Sequence, residues 1–182
     1  FFYFEDNHKR MLYTRKFNTK GLVIEFDESL YSKIKESLEI DIDKISNPDI
    51  KAKLDFYLKN ELEMRIAILH TLKHLILFEL PMIVGIEPNK ISGDYSIDEN
   101  SVYIFDNESG GIGVCETIRN DLQRFGKLFS QVKERAQNCK RDPYCNGACK
   151  LCVYIENCGN INHYLNRYLL FPMFRLDFNE LE

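Results

Sequence analysis

The sequence contains no tryptophan, no long apolar run and no excess of positive charge. Because 28 aspartate and glutamate residues outnumber 24 lysine and arginine residues, the net charge is −4, and any contact with nucleic acid must come from a local basic patch. No apolar run reaches the roughly 18 residues that a membrane-spanning helix needs, so no membrane partner is expected. The 13 phenylalanine and 10 tyrosine residues predict an aromatic-rich core in the absence of tryptophan.

Two kinds of functional motif are also missing. No signal peptide with a basic start, an apolar middle and a small-residue cleavage site is found, so we expect a reducing, cytoplasmic location. Neither a Walker A motif nor a DEAD-box sequence is present, so the chain should not hydrolyse ATP as a helicase by itself. The chain starts at Phe1 rather than Met, which suggests a piece of a longer protein. Residues 1–182 show no linker and are expected to form a single domain.

Hydrophobic periodicity predicts an α+β fold, with a small antiparallel sheet packed on a long buried helix. One predicted hairpin joins a strand over 11–17 to a strand over 22–26. A second joins alternating residues over 91–97 to the apolar run 102–105.

The helical pattern predicts one short and one long helix before the second hairpin. Apolar residues recur every four positions over 30–38, and a single helix signal runs over 49–80 until Pro81 is expected to stop it. The second half of that long helix is apolar nearly all round, so it should be buried at the centre of the domain. Near the C-terminus, Gly126 is expected to separate two helices, and a short helix should end at Pro172.

Five of the six cysteines lie within residues 139–158, which predicts a metal-binding knot. Cys149 and Cys152 form a C-x-x-C knuckle that presents two thiolates to one tetrahedral ion, and Gly147 supplies turn freedom just before it. Disulfides are disfavoured in a reducing compartment, and the Cys-Pro ending typical of some iron–sulfur sites is absent. The pattern therefore favours structural zinc.

Five cysteines compete for four ligand positions. The most compact set is Cys145, Cys149, Cys152 and Cys158. Cys139 is the alternative for either Cys145 or Cys158, and the spacing alone leaves that choice open.

Two further patterns bear on function. His70 and His74 lie four residues apart on one helix face, but the glutamate of an H-E-x-x-H motif is missing, so buried, hydrogen-bonded histidines are favoured over a functional face. The segment from Asp106 to Cys115 leads from a strand into a helix through Gly110, Gly111 and Gly113. Such a corner can bind an anion or phosphate on its backbone N–H groups, or can simply need glycine for a tight turn.

These residues suggest a second hypothesis, in which the chain is a hydrolase or transferase. It would use the glycine loop together with His70, Asp106 and Cys115, with His74 as a further catalytic candidate. A third hypothesis is a protein-interaction module without DNA contact. Six basic residues near the cysteines could contact phosphates or be ordinary solvated surface. They are Lys133, Arg135, Lys140, Arg141, Lys150 and Arg167.

Four ordered stretches resemble one family: HTLKHLIL (70–77), YIFDNESGGIGVCE (103–116), CNGACKLCVY (145–154) and NINHYLNR (160–167). This order is similar to the zinc-binding domain at the C-terminal end of MrfA-type superfamily 2 DNA-repair helicases, which also occurs in DrmB of the DISARM anti-phage system. TRKFNTKGLVIEF near the start also looks like this family, so the resemblance covers about Thr14 to Phe174.

The resemblance implies a non-catalytic accessory domain that holds structural zinc through four cysteines and works beside a superfamily 2 helicase on DNA. Helicase members of the family often show C-x-C before the knuckle, whereas five residues separate Cys139 from Cys145 in this chain. The spacing of Cys158 and the N-x-x-L-x-R tail look closer to the DrmB group. Either DNA repair or phage defence is therefore the expected setting.

Overall fold

The computed structural model describes residues 3–6, 9–12, 18–141, 144–156 and 158–174, and it confirms the predicted α+β fold. The strands are β1 (Tyr3–Asp6), β2 (Lys9–Leu12), β3 (Gly21–Glu25), β4 (Ile91–Ser96) and β5 (Ser101–Asp106). The α-helices are α1 (Ser29–Asp41), α2 (Pro48–Lys59), α3 (Glu61–Val84), α4 (Val114–Asn120), α5 (Leu122–Gln137) and α6 (Phe171–Phe174). Short 3₁₀ helices span Ile42–Lys44, Pro88–Lys90 and Arg167–Leu170.

Strand β5 is the centre of a three-stranded antiparallel sheet with the order β3-β5-β4. The predicted hairpin of β4 and β5 is confirmed, with Ile91 opposite Asp106 and Ser96 opposite Ser101. Strand β3 pairs with β5 in this sheet. Residues 13–17 of the other predicted hairpin lie outside the described residues, so its pairing stays a prediction; Met11 and Leu12 belong to β2, which pairs with β1.

Helix α3 is the predicted central helix, but the helix signal over 49–80 breaks once. Asn60 leaves the helical region at φ −127° and ψ 84°, and its side-chain amide donates to the Phe56 carbonyl at 2.7 Å. Such local side-chain bonds compete with the helical ladder, so α2 ends there and α3 begins. Asn47 accepts hydrogen bonds from the amides of Asp49 and Ile50, which makes it the N-cap of α2, as the sequence predicts.

Pro81 does not stop α3, contrary to the prediction. The helix continues to Val84 and ends at Gly85, which adopts the left-handed conformation at φ 75°. The Pro81 carbonyl accepts the amides of Gly85 and Ile86, so the last turn is closed despite the missing proline N–H. Leu80 and Pro81 are both buried, so packing holds the helical path.

The length and composition of α3 would suit a membrane span. Its mean hydropathy over an 18-residue window is 1.5, but 72% of that window is buried inside the fold. Helix α3 packs against the sheet strands β4 and β5, α5 and the 3₁₀ helix Arg167–Leu170. Burial by the rest of the chain thus accounts for its apolar surface.

The helices before the cysteines separate at Asp121 and not at Gly126. The Asp121 carboxylate accepts the amides of Gln123 and Arg124, both at 3.0 Å, and so caps the start of α5. Gly126 lies inside α5, where a glycine costs about 1 kcal/mol without ending a helix that is otherwise well packed. The predicted C-terminal helix is a 3₁₀ turn followed by α6, which contains Pro172.

Candidate metal centre

Four cysteines after α5 come together in one cluster, which we call the four-thiol cluster: Cys139, Cys145, Cys149 and Cys152. The sulfur atoms of Cys139, Cys145 and Cys149 all lie within 4.8 Å of one another. The Cys152 thiol hydrogen-bonds to Cys145. Four sulfur donors at this proximity suit a tetrahedral zinc ion, which binds thiolates at roughly 2.3 Å.

The knuckle is shaped by one carbonyl group. The Cys149 oxygen accepts the amides of Cys152, Val153 and Tyr154 at 3.2, 3.1 and 3.1 Å, which folds the C-x-x-C segment into a tight turn. Gly147 adopts φ 87°, the left-handed region predicted for the turn before the knuckle. The local sequence therefore builds the geometry that presents two sulfur atoms on the same side.

The electrostatics of the cluster favour a thiolate at Cys145. The hydrogen bond from Cys152 lowers the pKa of Cys145 to about 5, helped by the Gly147 amide and the Arg167 guanidinium and opposed by burial. The same hydrogen bond and burial raise the pKa of Cys152, so the first proton leaves the pair at Cys145. An ionised thiol is the form that binds a metal ion.

The chain that follows the cluster anchors it to the core. The Tyr168 hydroxyl donates to the Cys145 carbonyl at 2.8 Å, and the Arg167 amide donates to the Gly147 carbonyl at 2.9 Å. On the other side, Lys53 of α2 donates to the Asn146 carbonyl at 3.1 Å. The cluster therefore lies between α2 and the 3₁₀ helix Arg167–Leu170.

Cys158, the fourth predicted zinc ligand, lies in a second cluster. Its sulfur atom is 3.1 Å from Nε2 of His70, and the ligand atoms of His70, His74 and Cys158 lie within 4.8 Å of one another. We call these three residues the His–Cys cluster. The geometry thus favours the predicted alternative in which Cys139 replaces Cys158, although the ligand set itself stays a prediction.

The two histidines of the second cluster are fully buried and neutral. Burial, followed by the charge of Lys73, lowers the pKa of His70 to about 4. Burial likewise lowers the pKa of His74 to about 3, with smaller contributions from His70 and Lys73. His70 Nδ1 is hydrogen-bonded to the His163 carbonyl at 2.8 Å. At this nitrogen His70 is the buried, hydrogen-bonded histidine that the sequence favours.

The glycine corner holds an anion that belongs to the chain itself. The buried carboxylate of Asp106 accepts the amides of Ile112 and Gly113 at 2.8 Å each and that of Cys115 at 3.3 Å. Because these N–H groups point at Asp106, they are not free to cradle a phosphate. Gly111 is needed here, since an added Cβ would meet the Lys20 side chain at 2.7 Å.

The residues of the enzyme hypothesis do not form one reactive group. Burial, with the neighbouring Asp106 carboxylate, raises the pKa of Cys115 to about 12, which keeps the thiol protonated. Its sulfur contacts the Ile104 carbonyl, whereas the ring nitrogens of His70 contact Cys158 and His163. Cys115 is therefore a protonated thiol beside Asp106 and away from the ring nitrogens of His70, unlike a cysteine nucleophile paired with a histidine base.

The six basic residues divide into two groups. Arg167 is fully buried and donates to the carbonyls of Ala136 and Gln137 at 2.6 and 3.3 Å, so it supports the end of α5 rather than the surface. Arg135 is paired with the buried Glu79. The others are exposed: Lys133, Lys140, Arg141 and Lys150.

Comparison with known proteins agrees with this site. Residues 72–153 match the family model of the MrfA Zn-binding domain, which confirms the predicted resemblance for this part of the chain. The matched residues include the whole four-thiol cluster and end before Cys158. The chain is also similar to the uncharacterized protein MJ1572.1 of Methanocaldococcus jannaschii, with 28% identity over 109 residues, 55% of this chain and 90% of that protein.

The match and the geometry together support a zinc-binding domain of the MrfA type within residues 72–153. The residues of the four-thiol cluster fit a zinc ion, because four cysteine sulfurs are a common ligand set of structural zinc sites. Two of them, Cys145 and Cys152, already share a proton across a hydrogen bond. Sequence reasoning missed the meeting of Cys158 with His70 and His74. No local signal could have revealed it, since His70 and Cys158 are 88 residues apart.

Proposed function

We propose that this domain is a non-catalytic zinc-binding accessory domain that braces a cytoplasmic superfamily 2 helicase, in cis or in trans, and helps it engage DNA. The observation that carries the proposal is the four-thiol cluster within a segment that matches the MrfA Zn-binding domain. DNA repair and phage defence are both settings in which such a domain would serve.

The zinc ion would be structural, bound by the four-thiol cluster. When bound, it would supply a cross-link between the end of α5 and the knuckle, in a segment whose described residues, 138–141, 144–156 and 158–166, form no regular helix or strand. The chain's own residues contribute the rest of the rigidity. Tyr168, Arg167 and Lys53 bond to the backbone around the knuckle and fix its position on the core.

The proposed DNA contact is made by three basic residues beside the four-thiol cluster, Lys140, Arg141 and Lys150, which we call the basic rim. Lys140 and Arg141 directly follow Cys139, and Lys150 lies between the two knuckle cysteines. All three are exposed, so a rigid zinc knot would present three cations at fixed positions to a phosphate backbone. A local basic rim of this kind is compatible with the overall net charge of −4.

DNA titration at two salt concentrations tests this contact. We expect the triple variant Lys140→Gln, Arg141→Gln, Lys150→Gln to bind more weakly and to lose about two to three units of the slope of log affinity against log salt. The matched control replaces three exposed lysines elsewhere, Lys33, Lys59 and Lys127, with glutamine, and should keep the wild-type slope. Equal slopes for the two triple variants would refute the proposed DNA contact of the basic rim.

A protein-interaction module without DNA contact is the second candidate, and exposed apolar side chains of the same segment favour it. Tyr144, Leu151 and Ile161 are 92%, 59% and 79% exposed. If wild-type protein shows no salt-dependent DNA binding, this candidate replaces the DNA contact. The bracing role would then be tested by measuring how Tyr144→Ser and Leu151→Ser change affinity for the purified helicase motor.

A further inference from the structure

The His–Cys cluster has the features of a metal site that is separate from the four-thiol cluster. His70 and His74 project from successive turns of α3, and the Cys158 sulfur approaches them from the loop that follows the knuckle. Two imidazoles and one thiolate are good ligands for zinc-class ions. Among the residues that the structure describes, no fourth histidine, cysteine or carboxylate belongs to this group.

Hydrogen bonds to backbone carbonyls orient both rings. His70 Nδ1 donates to the His163 carbonyl at 2.8 Å, and His74 Nδ1 donates to the Val153 carbonyl at 2.6 Å. In this tautomer the Nε2 atom of each ring carries the lone pair. Histidines that bind metals are commonly fixed in this way, with the second nitrogen donating to a carbonyl or carboxylate.

The Nε2 atom of His74 supplies an independent observation. This nitrogen lies in a fully buried side chain and has no hydrogen-bond partner. The Cys158 thiol can satisfy His70 Nε2 at 3.1 Å, but it cannot satisfy both nitrogens with one proton. A buried acceptor without a partner costs about 1–3 kcal/mol, so the arrangement lacks a group that binds both nitrogens.

An ion between the three ligand atoms would supply that group. With zinc–nitrogen and zinc–sulfur bonds of ordinary length, tetrahedral ligands lie about 3.5 Å apart, so the 3.1 Å contact of Nε2 and Sγ needs to widen by only about 0.4 Å. The loop that carries the contacts is held in an unusual shape, because Ile161, Asn162 and Tyr164 all have positive φ. Such strain persists when surrounding contacts fix it.

We propose that His70, His74 and Cys158 bind a second zinc-class divalent ion, with water as the fourth ligand. Three protein ligands and one exchangeable position distinguish this site from the four-thiol cluster, which has no place for a water molecule. The ion would tie the loop after the knuckle to the central helix. The proposal does not depend on a helicase partner or on DNA binding.

Metal content of the full chain tests the proposal directly. After dialysis against metal-free buffer, we expect two zinc ions per wild-type chain and one in Cys158→Ser and in His74→Gln. Cys115→Ser is the matched control, because it removes a buried thiol outside both clusters, and it should keep two ions. A wild-type content of one ion overturns the proposal, and so does a second ion that persists in both variants.

Cobalt substitution covers the case in which the variants fail to fold, which circular dichroism would reveal. Titration of metal-free wild-type protein with Co²⁺ should show two equivalents. The first should have a strong sulfur-to-cobalt charge-transfer band from four thiolates, and the second about a quarter of that intensity from one thiolate. Saturation at one equivalent, or a second equivalent without any sulfur band, would overturn the proposal.

Discussion

The two clusters of sulfur and nitrogen ligands are assembled by different kinds of chain geometry. The four-thiol cluster takes all its sulfurs from residues 139–152, and one carbonyl, that of Cys149, folds the knuckle. The His–Cys cluster joins α3 to a loop that follows 88 residues after His70. A metal site made from one short segment can be recognised from spacing, whereas a site made from two distant segments depends on the fold that brings them together.

The two clusters also differ in charge balance. Four thiolates around a dication carry a net charge of −2, and Arg167 and Lys53 are the cations that interact with Cys145. With an ion bound, the His–Cys cluster would have two neutral imidazoles and one thiolate around a dication, a net charge of +1, so it needs less compensation inside the protein. The buried Arg167, predicted from the sequence as a DNA contact, therefore has an internal role beside the thiols.

The largest expected effect comes from breaking the four-thiol cluster. Cys149→Ser should remove one zinc ion per chain and lower the free energy of unfolding by on the order of 5 kcal/mol, because metal binding supplies folding energy to a segment whose described residues form no regular helix or strand. Urea denaturation combined with metal analysis measures both quantities. Cys115→Ser is the control, and equal stability of Cys149→Ser and wild type would contradict a structural zinc ion.

Arg167→Ala should have the next largest effect. It leaves the carbonyls of Ala136 and Gln137 without their buried donor and removes a cation beside Cys145, so we expect a loss of roughly 3 kcal/mol or more in unfolding free energy. Lys150→Ala, which removes an exposed cation in the same segment, should change stability by less than about 0.5 kcal/mol. Similar losses for the two variants in urea denaturation would show that Arg167 does not support the cluster.

Comparing Gly147→Ala with Gly110→Ala separates the cost of a positive φ from the cost of a steric overlap just before the knuckle. Gly147 has φ 87°, and an added Cβ would overlap Oδ1 of Asn166, the residue that caps the 3₁₀ helix Arg167–Leu170. Gly110 has a similar φ of 84°, but a Cβ there meets nothing within 4 Å. We expect a melting-temperature loss that corresponds to about 2 kcal/mol or more for Gly147→Ala and about 1 kcal/mol for Gly110→Ala. Identical shifts would mean that the Asn166 contact relaxes freely.

The smallest effect concerns Cys115, the buried thiol outside both clusters. Burial raises its pKa to about 12, so alkylation by iodoacetamide between pH 7 and 9 should label it only after the protein unfolds. Since the folded pKa exceeds the unfolded value of 9.0, this thiol contributes full stability below pH 9 and loses it as the pH rises toward 12. Mass spectrometry after timed alkylation measures the labelling, and rapid labelling of folded protein would contradict the burial.

Much of the fold was predictable because its signals are local. Alternating residues predict β4 and β5, and the apolar second half of α3 predicts its central position. Three element boundaries were wrong where one side chain or one packing contact outweighed a rule. Asn60 broke a continuous helix signal, the packing around Pro81 kept α3 helical, and Asp121 rather than Gly126 separated α4 from α5.

The candidate site was likewise predictable only where its residues are close together in the sequence. Cys145, Cys149 and Cys152 lie together as their spacing predicts, and the structure brings Cys139 to them while it brings Cys158 to the histidines. Five thiols at short spacings allow several sets of four, and the path of the chain between them decides which sulfurs meet. The glycine corner shows the same limit, because the sequence could not reveal that Asp106 occupies its N–H groups.

The sequence by itself determined the α+β class, the buried helix and the zinc-type knuckle, because these follow from periodicity and from ligand spacing within a few residues. The tertiary structure decided which cysteine joins the knuckle, that Arg167 is internal, and that Cys158 meets His70 and His74. Contacts between residues tens of positions apart depend on how α3, α5 and the final loop pack. That packing is set by the whole core, and no local pattern encodes it.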